Sequence, residues 1–137
     1  MIVDSSVWVD FLGRNPTAAG RALRRFLESG GQVYLTAAIF QEVLQGARDE
    51  AQIAVLNQEL ANFPLCEPVD ARAVARKAAE MYARCRWRGV TIRSSNDCLI
   101  AAIAIEHGKP LMTLDRDFEH LRGVDSSLQL LAVPALV

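Results

Sequence analysis

Soft metal ligands are scarce in this chain and scattered along it. Its two histidines, His107 and His120, form no HExxH-type pair, which argues against a histidine-held metal. The three cysteines, Cys66, Cys85 and Cys98, are odd in number and show no CxxC spacing. They read as reduced thiols, not as a disulfide framework or a zinc site. A basic excess is missing as well: the formal net charge is −1, so any nucleic-acid binding must come from a local patch. Asp4 and Asp10 interrupt an N-terminus that lacks a basic start and an apolar h-region. No apolar run approaches the length of a membrane span. These absences lead us to expect a cytoplasmic protein with no membrane partner.

What the chain does contain is apolar residue in quantity. With 137 residues and 51% hydrophobic content, it suits one domain, residues 1–137, with a substantial core. Strands and helices are expected to alternate. A very short strand opens IVDSSVW, and residues 17–29 carry a helical pattern closed by Gly30 and Gly31. QVYLT (32–36) reads as a strand, AAIFQEVLQGA as a helix with Thr36 as N-cap, and 49–62 as a further helix. FPLCEPV (63–69) suits a short strand near a sheet edge, because its prolines cannot donate to a ladder. A long helix over 70–87 ends near Gly89. SSNDCLIAAIAIEHG supplies the next, with Ser94 or Ser95 as N-cap and His107-Gly108 as its end. KPLMTLD (109–115) is then a strand, DFEHLR a short helix and LQLLAV (128–133) a last strand. No repeat, low-complexity tract or linker interrupts this order.

Alternation of this kind argues for a parallel sheet wrapped by helices, with the ligand site at the carboxyl ends of the strands. Asp97 is the first hint of such a site. Seven of the eight residues after it are aliphatic or alanine, and the eighth is Cys98. A carboxylate in a first helical turn meets the positive end of the helix dipole, worth about 0.3–1 kcal/mol, so Asp97 has a purely structural explanation. Asp4 and Asp115, however, each follow the apolar residues of an expected strand, and right-handed crossovers bring helix N-termini to the same edge. Glu42 lies one turn after Ile39 and one before Gly46, partly toward the core side. Four acids remote in sequence can therefore converge on one rim. Two carboxylates ~4 Å apart repel by about 4 kcal/mol at an effective dielectric near 20, so a convergent cluster must take up protons or a cation. All-oxygen ligation suits Mg²⁺ or Mn²⁺. A hard cation held by acids can activate water and neutralise charge on a phosphate, as metal-dependent nucleases require. Spacing alone leaves open whether these acids converge or are four unrelated caps and surface residues.

Three segments carry a family resemblance: MIVDSSVWVDFL, AAIFQEVLQGA and TIRSSNDCLIAAIAIEHGKPLMTLDRDF. Together they resemble the PIN domain, and more closely the VapC-type ribonuclease toxins of bacterial toxin–antitoxin pairs. The resemblance spans essentially the whole chain and is most specific over 91–118. It implies a three-layer α/β/α fold with a parallel sheet of about five strands in the order 3-2-1-4-5. It also implies a Mg²⁺- or Mn²⁺-dependent endoribonuclease, with Asp4, Glu42, Asp97 and Asp115 as catalytic metal ligands. Ser6 and Thr113 match polar positions near the metal, and Asp117, within TxDxDF, matches an outer ligand. The partners implied are RNA, a cognate antitoxin and a second copy of the chain as a homodimer.

Other features have plainer explanations beside functional ones. Arg84, Arg86, Arg88 and Arg93 surround Trp87, a grouping that suits RNA phosphates and stacked bases but equally suits a solvated helix C-terminus. Arg93, nearest to Asp97, is the candidate for RNA binding. Arg21, Arg24 and Arg25 read as a solvated helix face. Trp8, Phe11, Leu12, Leu23, Phe26 and Leu27 read as core, or where exposed as a partner-binding patch. Cys98 reads as a buried small hydrophobe, since no basic partner accompanies it. Two alternatives lose ground on the first strand. A dehalogenase-like phosphatase needs a second aspartate where Ser6 stands, and a receiver domain needs an acidic pair that is missing. A housekeeping RNA-processing PIN nuclease and a non-catalytic module of the same fold remain compatible with the sequence.

Overall fold

A computed structural model describes residues 1–132. Its sheet is unusually narrow along the strands. Three parallel strands of two residues each, β1 (Ile2–Val3), β2 (Leu111–Met112) and β3 (Leu130–Leu131), pair in the order β1-β2-β3. Single-residue parallel bridges extend the sheet past β1, from Ile2 to Tyr34 and from Leu35 to Leu65. With these counted, the five segments lie in the expected order 3-2-1-4-5. β1 is central: Val3 N–H donates to Tyr34 O on one side (3.2 Å), and Ile2 and Asp4 N–H donate to Pro110 O (2.8 Å) and Met112 O (2.9 Å) on the other.

The expected strands at 32–36, 63–69 and 109–115 are thus overextended. QVYLT and FPLCEPV contribute only bridges, and the third strand stops at Met112. Pro64 and Pro68 have no N–H to give a ladder. After Met112 the polar groups of Thr113 and Asp115 bond to one another and to Asp4 instead of to a strand. The last strand is likewise two residues, and Val133 of the expected LQLLAV segment lies outside the described residues.

Seven helices accompany the sheet among the described residues: α1 (Ser5–Leu12), α2 (Ala18–Glu28), α3 (Ala37–Gln45), α4 (Glu50–Leu60), α5 (Ala71–Trp87), α6 (Ser95–Glu106) and α7 (Asp117–Val124). The first of these begins one residue after Asp4, a helix the strand-like opening of IVDSSVW conceals. Side-chain caps explain several starts. Thr36, Asp49 and Asp70 accept from the N–H groups of Ile39, Gln52 and Ala73, each worth about 1 kcal/mol. The start of α2 is capped from a distance: the Asp10 carboxylate in α1 accepts from Thr17 N–H and Oγ1–H and from Gly20 N–H. Burial would push the Asp10 carboxyl up, but these donors outweigh it and hold it low. A Cβ at Gly20 would stand 2.8 Å from that carboxylate and 3.0 Å from Phe11 Cα. Only glycine permits this approach of α2 to α1. At the other ends, Gly89 (φ +85°) and Gly108 (φ +62°) adopt the left-handed conformation that follows α5 and α6.

Helix α6 is buried on nearly every side, with Asp97, Cys98, Ile100, Ala101, Ala102, Ile103 and Ala104 all inside. It packs against α5, α7 and α3, which accounts for a sequence apolar all round instead of along one stripe. Glu106 at its end accepts from Val69 and Asp70 N–H (2.8 and 3.1 Å), tying the start of α5 to the end of α6. Trp8 and Leu23 are fully buried, while Phe11, Leu12, Phe26 and Leu27 are half-buried against the core.

Candidate active site

Short strands place the acids. Because β1 ends at Val3, Asp4 leaves the sheet at its carboxyl edge, and its own N–H remains anchored to Met112 O. Its carboxylate is 3% exposed. One oxygen, Oδ2, accepts from the hydroxyls of Ser6 and Thr113, both at 2.9 Å. Those hydroxyls in turn accept from the N–H groups of Leu114 (3.1 Å) and Asp115 (3.0 Å). Because an amide can only donate, each hydroxyl proton is directed toward Asp4. The other oxygen, Oδ1, is buried with no hydrogen-bond partner among the described residues. An unsatisfied buried acceptor costs about 1–3 kcal/mol, and more when charged.

Asp4, Glu42, Asp97 and Asp115 line one cavity of about 420 Å³, together with Ser5, Ser6, Val9, Arg93 and Ser94. The four remote acids do converge. Glu42, half-buried in α3, is oriented by a 2.7 Å hydrogen bond from Ser5 Oγ. Asp97 sits buried in the first turn of α6. Asp117 belongs here too: carboxylate oxygens of Asp97, Asp115 and Asp117 all lie within 4.8 Å of one another. Ser5 was not legible as a site residue. Its only signal was its place beside Asp4, and its role depends on where α3 comes to lie.

Asp115 differs from its expected setting. It does not follow a strand directly but lies three residues beyond Met112, half-buried in the loop before α7. Loop bonds hold it: its N–H donates to Thr113 Oγ1, and its Oδ1 accepts from Asp117 N–H at 2.9 Å. Asp117, in the first turn of α7, is the more buried of the two. Its Oδ2 accepts the Arg93 backbone N–H at 3.0 Å and Arg93 Nε–H at 3.3 Å, while Arg93 Nη2 donates to Asp115 Oδ1 at 2.8 Å.

Crowding shows in the protonation behaviour. Burial, then the charges of Asp4, Asp115, Glu42 and Asp117, push the Asp97 carboxyl up to about 7. Asp4 is also raised, by burial first, against the lowering effect of its two hydroxyl partners. These are the properties of a cation site: oxygen donors only, an orphaned carboxylate oxygen, and a carboxyl that retains a proton near neutrality when no cation compensates it. The donor set therefore fits a hard divalent ion. Cys98, beside Asp97, is buried, and burial and the Asp97 charge raise its thiol to about 11. It is an inert core residue, as expected.

The arginine grouping near Trp87 divides. Arg84 pairs with Glu80 (3.6 Å) and Arg88 Nη1 donates to Gly123 O (3.1 Å). Trp87 is 74% exposed, and Arg86 lines a groove of about 650 Å³ between α5 and α6 that Arg93 also borders. Arg93 is thus the member of the group that reaches the acids. On α2, Arg24 lies over the Phe11 ring at 5.1 Å and Arg21 donates to Pro16 O, so the exposed face also shields its neighbours.

Known proteins resemble this chain in sequence and in fold. The PIN domain family model matches residues 1–124. Ribonuclease VapC11 of Mycobacterium tuberculosis is 35% identical over 120 residues, covering 87% of this chain and 89% of its own. VapBC-1 from nontypeable Haemophilus influenzae has the same fold, with a TM-score of 0.76 at 13% identity over 97% of each chain. VapBC-5 from M. tuberculosis, a member of the VapBC family of toxin–antitoxin systems, gives a TM-score of 0.65 at 24% identity over 95% of each chain. No helix among the described residues is long and apolar enough to cross a membrane. With its parallel-sheet topology and its rim of acids, the chain belongs to the PIN domain family.

Proposed function

We propose that the protein is a divalent-metal-dependent endoribonuclease and the toxin of a toxin–antitoxin pair. The observation that carries this reading is the cavity in which Asp4, Glu42, Asp97 and Asp115 converge, with Asp4 Oδ1 buried and unpartnered. The 35% identity to Ribonuclease VapC11 supports RNA as the substrate, and the likeness to toxin–antitoxin complexes supports an antitoxin partner.

In this reading Asp4, Glu42, Asp97 and Asp115 hold Mg²⁺ or Mn²⁺, and Asp117 lies just outside or shares in the ligation. The bound cation would polarise a phosphate oxygen and lower the pKa of a water for attack on the phosphodiester. The chain's own groups prepare that site. Ser6 and Thr113 keep Asp4 Oδ2 occupied, so Asp4 presents Oδ1. Ser5 holds Glu42 in place. Asp97, whose carboxyl is raised to about 7 by burial and its neighbours, would hold the cation as a carboxylate once that charge offsets them. Arg93, at the cavity rim, supplies the positive charge that meets an RNA phosphate. A homodimer and a cytoplasmic setting complete the reading.

The test is cleavage of RNA by purified protein with and without Mg²⁺ or Mn²⁺. Activity should require the metal, and Asp97→Asn should abolish it with the fold intact. Undiminished cleavage by that variant in excess chelator would overturn the mechanism. Coexpression with a cognate antitoxin should relieve any growth arrest that the protein causes. Light scattering that shows a monomer at high concentration would remove the dimer.

A further inference from the structure

Arg93 lies in the loop between α5 and α6, and its guanidinium sits on the carboxylates that the proposed metal would use. Asp115 Oδ1 accepts from Arg93 Nη2 (2.8 Å) and from Asp117 N–H (2.9 Å). Asp117 Oδ2 accepts from Arg93 Nε (3.3 Å) and from the Arg93 backbone N–H (3.0 Å). A carboxylate oxygen offers about two acceptor sites, so both atoms are saturated while the guanidinium is docked. In each pair the second donor is a backbone amide, which cannot leave without moving the loop or α7. The side chain is the removable partner. It is 75% exposed, against 26% for Asp115 and 12% for Asp117, so it can detach at small cost.

We propose that Arg93 is a displaceable internal counter-ion: it neutralises Asp115 and Asp117 in the metal-free protein, and a divalent cation enters by driving its guanidinium off them. This rests on the metal site proposed above and adds a competitor to it. A cation bound through the remaining oxygens of these acids would meet the guanidinium charge at close range, so docking and loading oppose each other by either route. The released side chain stays where it is useful. Arg93 borders both the acidic cavity and the α5–α6 groove, so a freed guanidinium stands at the rim where a phosphodiester arrives. Asp117 keeps its orientation through the Arg93 backbone N–H, which no substitution at position 93 other than proline removes.

The experiment is titration with Mn²⁺ alone, followed by the loss of free-ion electron paramagnetic resonance signal, without RNA. Wild type, Arg93→Gln and Arg93→Lys are compared, each with its melting temperature in chelator. Arg93→Gln should bind Mn²⁺ about two- to tenfold more tightly than wild type, the range that loss of exposed ion pairs allows. Arg93→Lys, with charge but no fork, should fall between. In chelator, Arg93→Gln should melt lower than wild type, because its acids repel without a counter-ion. Affinity in Arg93→Gln that is unchanged or weaker would overturn the proposal, since loss of a competing charge must tighten the site. Failure of all three proteins to bind Mn²⁺ would instead overturn the metal site and this inference with it.

Discussion

Replacing Asp97 with asparagine should make the metal-free protein more stable while removing its response to metal. Asparagine has nearly the same shape, so the change isolates the charge. Within the cluster, carboxylate oxygens of Asp97, Asp115 and Asp117 lie within 4.8 Å of one another. At that separation two unit charges repel by about 3.5 kcal/mol at an effective dielectric of 20. Arg93, 2.8 Å from Asp115 and 3.3 Å from Asp117, offsets much of this, and solvent at the open cavity screens more. A net gain of about 2 kcal/mol above pH 7 is a fair expectation, which for a domain of this size is roughly 6 °C in melting temperature. The pH dependence ties the gain to the ionised carboxylate, which burial disfavours first and the neighbouring charges second. The Asp97 carboxyl is raised from 3.8 to about 7 in the folded protein, so between those values the native state holds a proton that the unfolded chain has lost. Wild-type stability therefore falls as pH rises through that window, and the fall is complete above it. The advantage of Asp97→Asn should be near zero at pH 4, grow up to pH 7 and then level. Thermal melts in chelator at several pH values measure this, and a parallel series with Mn²⁺ should raise the wild-type melting temperature but not that of the variant. A variant no more stable than wild type at pH 8, or an advantage that ignores pH, would refute the argument.

Four further outcomes follow from particular contacts. Thr113→Val removes a donor to Asp4 Oδ2 and the acceptor of Asp115 N–H, so Mn²⁺ affinity by titration should drop by roughly 10–100-fold with the fold retained. Asp115→Asn should weaken Mn²⁺ binding and cleavage more than Asp117→Asn does. Asp117→Asn should lower the melting temperature instead, because its buried carboxylate anchors the Arg93 loop; the reverse ranking would exchange their roles. Gly20→Ala should destabilise the protein in denaturant melts despite alanine's better helix propensity, since the new Cβ would lie 2.8 Å from Asp10 Oδ2. Asp10→Ala should cost about 1–2 kcal/mol through loss of the α2 cap. The Asp10 carboxyl is held below its ordinary value, so the cap's contribution is present at neutral pH and lost as pH falls through the folded-state value.

Much of the site could be seen in the residues themselves. An aspartate at one end of an apolar run, after it for Asp4 and Asp115 and before it for Asp97, announces a polar group at the end of a buried element. The absence of histidine or cysteine pairs restricted any metal to a hard one. Helices other than α1 were legible for a local reason: the cap Thr36 and the terminal Gly89 and Gly108 act through bonds within a few residues. Strand lengths were not, because a ladder depends on partners from distant parts of the chain, and periodicity in QVYLT or FPLCEPV cannot say whether a neighbour offers its amides. That is why β2 ends at Met112 while TLD turns toward Asp4. Tertiary structure alone decided the pairwise details: Ser5 on Glu42, Ser6 and Thr113 on one oxygen of Asp4, and Arg93 on Asp115 and Asp117. Except for Ser6, two residues from Asp4, each joins residues from different elements, so it exists only once packing has set their distance. Residue order thus determined which chemistry the protein carries. The fold decided which oxygen is left bare and which cation stands in front of the others.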